Sequence, residues 1–554
     1  MVFPVSKETV SMWTRDRVRL DADVYRPVMN GEFPVLLMRQ PYGRAIASTV
    51  VYAHPSWYAA QGYIVVIQDV RGRGTSEGEF KLFAHEIEDG YDSVQWAANL
   101  TGSTGAVGMY GFSYQGMTQL YAAAAKPPAL RTLCPAMLAH DLYCDWAYEN
   151  GAFCLQSNMG WALQLAAETA RLKGDETAFY TLTTAAKNLT FGETVPARSR
   201  VLSELDSTSF YHDWLAQPDP GDYWETLSPK TYLKDVDLPM LHIGGWFDTF
   251  LRGTLSLYKE MASRSQYRQQ LIVGAWAHLP WSRQVGAINF GVEANNPCDR
   301  LQLHWFDHFL KGNDPGLLNE PPIQLFEMGT NQWRSLDSWN FAEPTAFYLS
   351  STGLAGMNDQ DGQLIQNPKS KIQNSFDTLV HDPWRPVPAQ GGHAAFPSGS
   401  FERSALDCRT DVLTYTSEPL MEALHLAGEV ILTVYCFADA PSFDLGAVLS
   451  TVHPNGAVYN FTQGYMQVQP AQKTEPLTLA LQPTCICIQR GYAIRLSLSA
   501  ACFPAYPVNA GTGKPADKTR LIDQKIITLT VMSGDSDGAS QTENHLSCIW
   551  LPIT

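Results

Sequence analysis

The segment Gly111-Phe112-Ser113-Tyr114-Gln115-Gly116 holds the pattern G-x-S-x-G. A serine alcohol becomes a nucleophile when a sharp strand-to-helix turn holds it clear of the backbone, beside a base that takes its proton. The flanking residues supply that context. Val107–Tyr110 (VGMY) reads as a short buried strand, and the Ala-rich run Met117–Lys126 reads as a helix. Glycines on both sides remove side chains that would clash in so tight a turn. A helix starting there aims its first amides at the point where an oxyanion would form.

A base and an acid must complete the set. On such an elbow the serine is followed in the chain by an acid and then a histidine, each just past a later strand. Asp248 closes MLHIGGWFD, and His278 lies in GAWAH, shortly after the apolar run LIVG. Asp248 follows Ser113 by 135 residues, and His278 follows Asp248 by 30. The first interval leaves room for an insertion, and the second for one helix and one strand. Ser113, Asp248 and His278 are therefore the expected catalytic residues.

The elements that must position them follow from the pattern of apolar residues. Residues 1–139 alternate strands with helices: Arg17–Tyr25, Pro34–Met38 and Tyr63–Gln68 as strands, His85–Leu100 as a helix. Such alternation predicts an α/β layer fold with a largely parallel sheet. Helix formers dominate residues 140–230, which reads as a helical cap inserted into that core. Strands return in residues 231–340, at Met240–Ile243 and Leu271–Gly274, with a helix over Arg300–Lys311. Residues 341–554 carry short alternating segments such as TAFYLSS, EVILTVYCFA and YAIRLSLSA between turn residues, the mark of a β-sandwich, here expected to be of jelly-roll type. Pro383–Gly399 reads as a long loop within it.

Composition bounds the partners. The 554 residues predict about three domains at roughly 100–200 residues each. Lys and Arg number 39 against 55 Asp and Glu, a net charge of −16. That balance argues against nucleic acid and against an anionic membrane surface, both of which require clustered cations. Ten cysteines lie scattered without a C-x-x-C pair and read as free thiols; Cys485 and Cys487 would share a strand face. No basic-then-apolar leader opens the chain, and no apolar run of about 18 residues occurs. The expected location is cytoplasmic.

At these residues the chain resembles the CocE/NonD family of serine hydrolases, which includes bacterial cocaine esterases and is related to X-Pro dipeptidyl peptidases and α-amino-acid ester hydrolases. RQPYGR, IQDVRGRGTSEGEF, GFSYQG, GGWFDTF and GAWAH carry the likeness, joined by HWFDHFLKG, YTSEPL and GYAIRLSLSAACFP; it covers nearly the whole chain. The resemblance implies an α/β-hydrolase core with a helical cap and a C-terminal β domain. It implies an oxyanion hole made by the Tyr42 hydroxyl and the backbone amide of Tyr114. It also implies an acyl pocket walled by Trp146, Trp161 and Phe250, suited to apolar or aromatic acyl groups. No metal or organic cofactor is required. A small-molecule ester or amide is the expected partner, and family members are often dimeric.

Other patterns weigh less. Gly72-x-Gly74 lacks the third glycine of a dinucleotide loop, because Glu77 stands there and no helix follows. Arg71 and Arg73 read as structural, pairing with Asp69 or Glu77. His304 and His308 lie four apart on one helix but without an H-E-x-x-H pattern, which argues against a metal pair. The amino-ester hydrolases hold a substrate ammonium with acids just after the triad aspartate, where this chain has Thr249 and Phe250. Asp145 and Glu149 are the remaining acids near the pocket and read as a solvated helix face. The expected reaction is acyl transfer from an ester to water through an acyl-enzyme. An amidase or acylase, an acyltransferase with the same triad, and an inactive binding protein stand as the alternatives.

Overall fold

Ten strands form the first sheet, and their order explains where the chemistry sits. In the computed structural model, which describes residues 2–45, 49–314, 316–341, 343–366, 375–469, 475–533 and 546–554, they are β1 (Val5–Trp13), β2 (Arg19–Pro27), β3 (Phe33–Gln40), β4 (Ile64–Asp69), β5 (Ser103–Phe112), β6 (Leu130–Ala136), β7 (Met240–Phe247), β8 (Gln269–Ala277), β9 (Ile323–Glu327) and β10 (Gln332–Leu336). They lie in the order β1-β2-β4-β3-β5-β6-β7-β8-β9-β10. The pairs from β4 to β9 are parallel, while β1, β2 and β10 run antiparallel to their neighbours. Parallel strands must be covered on both faces. The apolar runs Val35–Met38 and Ile64–Ile67 are accordingly buried throughout. Helices α1 (Glu86–Ala98), α2 (Tyr114–Ala124), α5 (Leu251–Arg264) and α6 (Cys298–Lys311) belong to this core.

The cap carries α3 (Leu155–Leu172) and α4 (Glu176–Lys187), followed by short helices up to Tyr232. It opens differently from the expected helical run. Tyr143–Ala147 forms a π-helical turn, and Tyr148–Glu149 pairs with Ala152–Phe153 as a small antiparallel hairpin. Asp145 and Glu149 are both buried there, 5% and 2% exposed, so the expected solvated helix face does not exist.

Beyond β10 the described residues build a nine-stranded sheet and a three-stranded sheet. The long loop expected over Pro383–Gly399 is present between strands. One apolar cluster runs without a break from Trp246, Leu271 and Phe326 of the first sheet into Leu432, Leu479 and Leu481 of the second. The β domain therefore shares a core with the strands that precede Asp248 and His278. All ten cysteines are free, and Cys485 and Cys487 are buried on the strand Leu477–Ile488. Among the described residues, no helix is long and apolar enough to cross a membrane.

Candidate active site

Ser113 stands between β5 and α2 with φ 59° and ψ −128°. A non-glycine residue rarely adopts that conformation, and it needs support from its surroundings. The Ser113 amide supplies some, bonding to the carbonyls of Ala136 (2.9 Å) and Met137 (3.1 Å) at the end of β6. The two motif glycines supply the rest by absence. A Cβ at Gly111 would lie 2.5 Å from Gln115 Cβ, and one at Gly116 would lie 2.8 Å from Leu138 Cδ2.

Asp248 directly follows β7, and His278 directly follows β8. His278 Nδ1 lies 2.8 Å from Asp248 Oδ1, and the carboxylate is fully buried. An ionised carboxylate only accepts, so Nδ1 carries the proton and Nε2 is left to accept one. The imidazole packs between Phe112 and Phe250, with ring centres 5.4 and 4.9 Å away. Phe112 is the residue before Ser113, so this contact brings the imidazole beside the elbow.

Tyr42 sits in the loop after β3, and two of the sequence segments singled out above lock that loop. The Tyr42 amide donates to Gln40 Oε1 at 3.0 Å. The Arg44 amide donates to Asp69 Oδ1 at 2.7 Å, and its guanidinium spans Asp69 and Asp23. Ser76 Oγ donates to the Asp69 carbonyl at 2.8 Å. The Tyr42 phenol is within hydrogen-bonding reach of the Ser113 hydroxyl, and burial pushes its pKa up to about 12. It is thus a neutral donor at pH 7.

Tyr114 opens α2, where the first amide has no carbonyl partner within the helix. Its side chain is buried and donates to Glu86 Oε1 at 2.8 Å. Glu86 in turn holds Arg39 at 2.6 Å, and Arg39 Nε reaches Gln68 at 2.8 Å.

The three expected pocket residues come together in one aromatic file. From His278 it runs to Phe250, then to Trp146 at 4.3 Å and Trp161 at 4.9 Å. Phe210 extends it, 4.9 Å beyond Trp161; nothing in its sequence surroundings had marked it. Around Ser113 and His278 the structure thus gathers the Tyr42 phenol and the Tyr114 amide, next to the serine, and an aromatic file that starts at the imidazole. That arrangement suits acyl transfer.

Comparison with known proteins agrees. A family model described as X-Pro dipeptidyl-peptidase (S15 family) matches residues 16–280, and one described as X-Pro dipeptidyl-peptidase C-terminal non-catalytic domain matches residues 315–542. The cocaine esterase of Rhodococcus sp. (strain MB1 Bresler) is 28% identical over 530 residues, covering 90% of this chain and 91% of that protein. The chain is a serine hydrolase homologous to that cocaine esterase. An α-amino acid ester hydrolase structure has a TM-score of 0.80 at 21% identity, covering 99% of this chain and 97% of that one. A CocE/NonD family hydrolase from Staphylococcus aureus has a TM-score of 0.70 at 16% identity, covering 99% and 93%. These two likenesses show the fold.

Within this serine hydrolase the acids near the aromatic file are already committed. The Asp145 carboxylate accepts from the amides of His140 (3.0 Å) and Asp141 (2.7 Å). Glu149 meets Arg252 at 3.0 Å, His393 at 2.9 Å and Tyr506 at 2.5 Å. Burial opposes the charge on Glu149, but Arg252 and His393 outweigh it and hold the carboxyl well below the usual range. The cluster joins cap, core and β domain. Arg71 and Arg73 also differ from expectation. Arg71 pairs with Asp89 and Asp16, both at 2.7 Å, while Asp69 goes to Arg44 and Glu77 to Arg19. Arg73 meets no acid among the described residues.

Sequence reasoning missed one residue close to the triad. Gln482, on the β-domain strand Leu477–Ile488, is 2% exposed. Its amide nitrogen donates to the carbonyls of Trp246 (2.9 Å) and Asp248 (3.0 Å). It clamps the turn that presents the acid. An isolated glutamine 234 positions from Asp248 carries no local signal of this contact.

Proposed function

We propose that this chain hydrolyses carboxylic esters of apolar or aromatic acyl groups through an acyl-enzyme. Ser113 Oγ attacks the ester carbonyl while His278 Nε2 takes its proton, and Asp248 orients the imidazole and stabilises its charged form. Tyr42 and the Tyr114 amide receive the tetrahedral oxyanion, each donor being worth about 10²–10³ in kcat. Collapse breaks the bond to the leaving oxygen, which takes the proton from His278 and departs as the alcohol. Water then repeats the sequence on the acyl-enzyme, releasing the carboxylic acid and restoring Ser113.

The observation that carries the reading is the His278–Asp248 pair beside a strained Ser113, opening onto an aromatic file. Small amides are the second reading, favoured by the match to the X-Pro dipeptidyl-peptidase model. The commitment of Asp145 and Glu149 speaks against a substrate held by its ammonium group. Ten free cysteines support a reducing, cytoplasmic setting. A homodimer rests on the family resemblance alone.

Matched aryl, alkyl and amino-acid esters, with the corresponding amides, test this on purified protein. Apolar and aromatic acyl esters should turn over fastest. Ser113→Ala should lower kcat by about 10⁴–10⁶ and abolish fluorophosphonate labelling while the fold persists. Turnover surviving that change would remove Ser113 from the mechanism.

A further inference from the structure

Three residues of the cap helix α3 spaced four apart, Trp161, Leu165 and Thr169, hydrogen-bond to loops of the hydrolase core. That spacing places them on one face of the helix. Trp161 Nε1 donates to the Tyr42 phenol oxygen at 3.1 Å. One and two turns further on, Arg73 Nη1 donates to the Leu165 carbonyl and to Thr169 Oγ1, both at 3.1 Å. Arg73 comes from the loop after β4, lies 3.8 Å over the Phe80 ring and is 2% exposed. Its Nε has no hydrogen-bond partner among the described residues. A guanidinium buried without a carboxylate costs free energy. Its bonds go to a helix carbonyl and a threonine hydroxyl, so what it supplies is geometry rather than charge pairing.

We infer that Trp161 is a positioning residue for the Tyr42 phenol, and that Arg73 sets the cap helix that carries it. The inference rests on Tyr42 being the oxyanion donor. An indole N–H can only donate. Bonded to the phenol oxygen, it occupies one acceptor site and leaves the phenol proton to point elsewhere, towards Ser113. Donation into a hydroxyl oxygen also strengthens the bond that this hydroxyl donates in turn. Trp161 thus has two separable parts. Its ring faces the acyl group, and its N–H holds the group that meets the oxyanion.

Trp161→Phe keeps a ring and removes the N–H. It is assayed on an acetyl and a benzoyl ester of the same alcohol, alone and in a Tyr42→Phe background. The expected result is a fall in kcat of about 3- to 10-fold on both esters, the worth of one neutral hydrogen bond, with KM unchanged. In the Tyr42→Phe background the same change should have no further effect on kcat. Arg73→Met should lower kcat in the same direction and Arg73→Lys should recover part of it; thermal unfolding checks that each variant is folded. If Trp161→Phe does not fold, Arg73→Met carries the same test with Trp161 in place. A loss confined to KM for the benzoyl ester would make Trp161 a wall only and overturn the inference. An undiminished loss in the Tyr42→Phe background would overturn it too. Should Tyr42→Phe itself leave kcat untouched, the oxyanion reading falls, whereas a silent Trp161→Phe beside a strong Tyr42→Phe effect removes this inference alone.

Discussion

One flank of the site, next to Ser113, is made of Tyr42 and the first amide of α2; the other, starting at His278, is made of Phe250, Trp146 and Trp161. The first flank is held by directional bonds between charged and polar groups. Arg44 ties Tyr42's loop to Asp69, and the Arg39–Glu86–Tyr114 chain anchors the start of α2. The second flank is held by ring packing at 4.3–4.9 Å. A donor to a developing oxyanion must be right to within tenths of an ångström, and buried charge-assisted bonds impose that accuracy. A wall that receives an acyl group has only to exclude water and match a shape, which dispersion and area burial achieve without direction. Trp161 belongs to both flanks at once.

Changes on the two flanks should separate in kcat and KM. The largest effect is expected on the polar side: Tyr42→Phe should lower kcat by about 10²–10³ with little change in KM. Because burial raises the Tyr42 pKa to about 12, the phenol keeps its proton at all lower pH. The ratio of wild-type to variant rates should therefore stay constant from about pH 7 to about pH 10; a ratio that falls across this range would remove the phenol as the donor. On the apolar side, Phe250→Ala should reduce kcat/KM for a benzoyl ester by about 10- to 100-fold, from lost ring burial. An acetyl ester should be affected less, and equal losses on both esters would show that Phe250 serves His278 rather than the acyl group. The smallest effect is expected at Gln482→Leu, about 3- to 10-fold in kcat, read alongside thermal unfolding. A drop in stability with kcat intact would confine Gln482 to packing.

The legible parts of the site were those with a local cause. The elbow announces itself because strand, glycine, serine, glycine and helix occupy adjacent positions. Asp248 and His278 were legible because each lies within five residues of a short apolar run, MLHI or LIVG, read as a buried strand; the strands extend to the residue before each of them. Tyr42, Trp146, Trp161 and Phe250 were named through family resemblance, since a tyrosine after a proline or a tryptophan in a helix has many roles. The strand β1 escaped notice because, at a sheet edge, most of its residues face solvent and it lacks a clear apolar alternation. Asp145 and Glu149 were misplaced because a helical period was assumed across a π turn and a hairpin.

By itself the sequence determined the α/β core, the cap insertion, the β domain and the order of the three catalytic candidates, because periodicity and turn chemistry act between neighbours in the chain. Only the tertiary structure decided that Glu149 meets Tyr506 from 357 positions away, that a β-domain glutamine holds the turn of the acid, and that Trp161 turns its N–H to a phenol. Those contacts depend on how separate elements dock. Docking is driven by apolar burial that has no direction of its own, so individual polar partners emerge only once the whole core has closed.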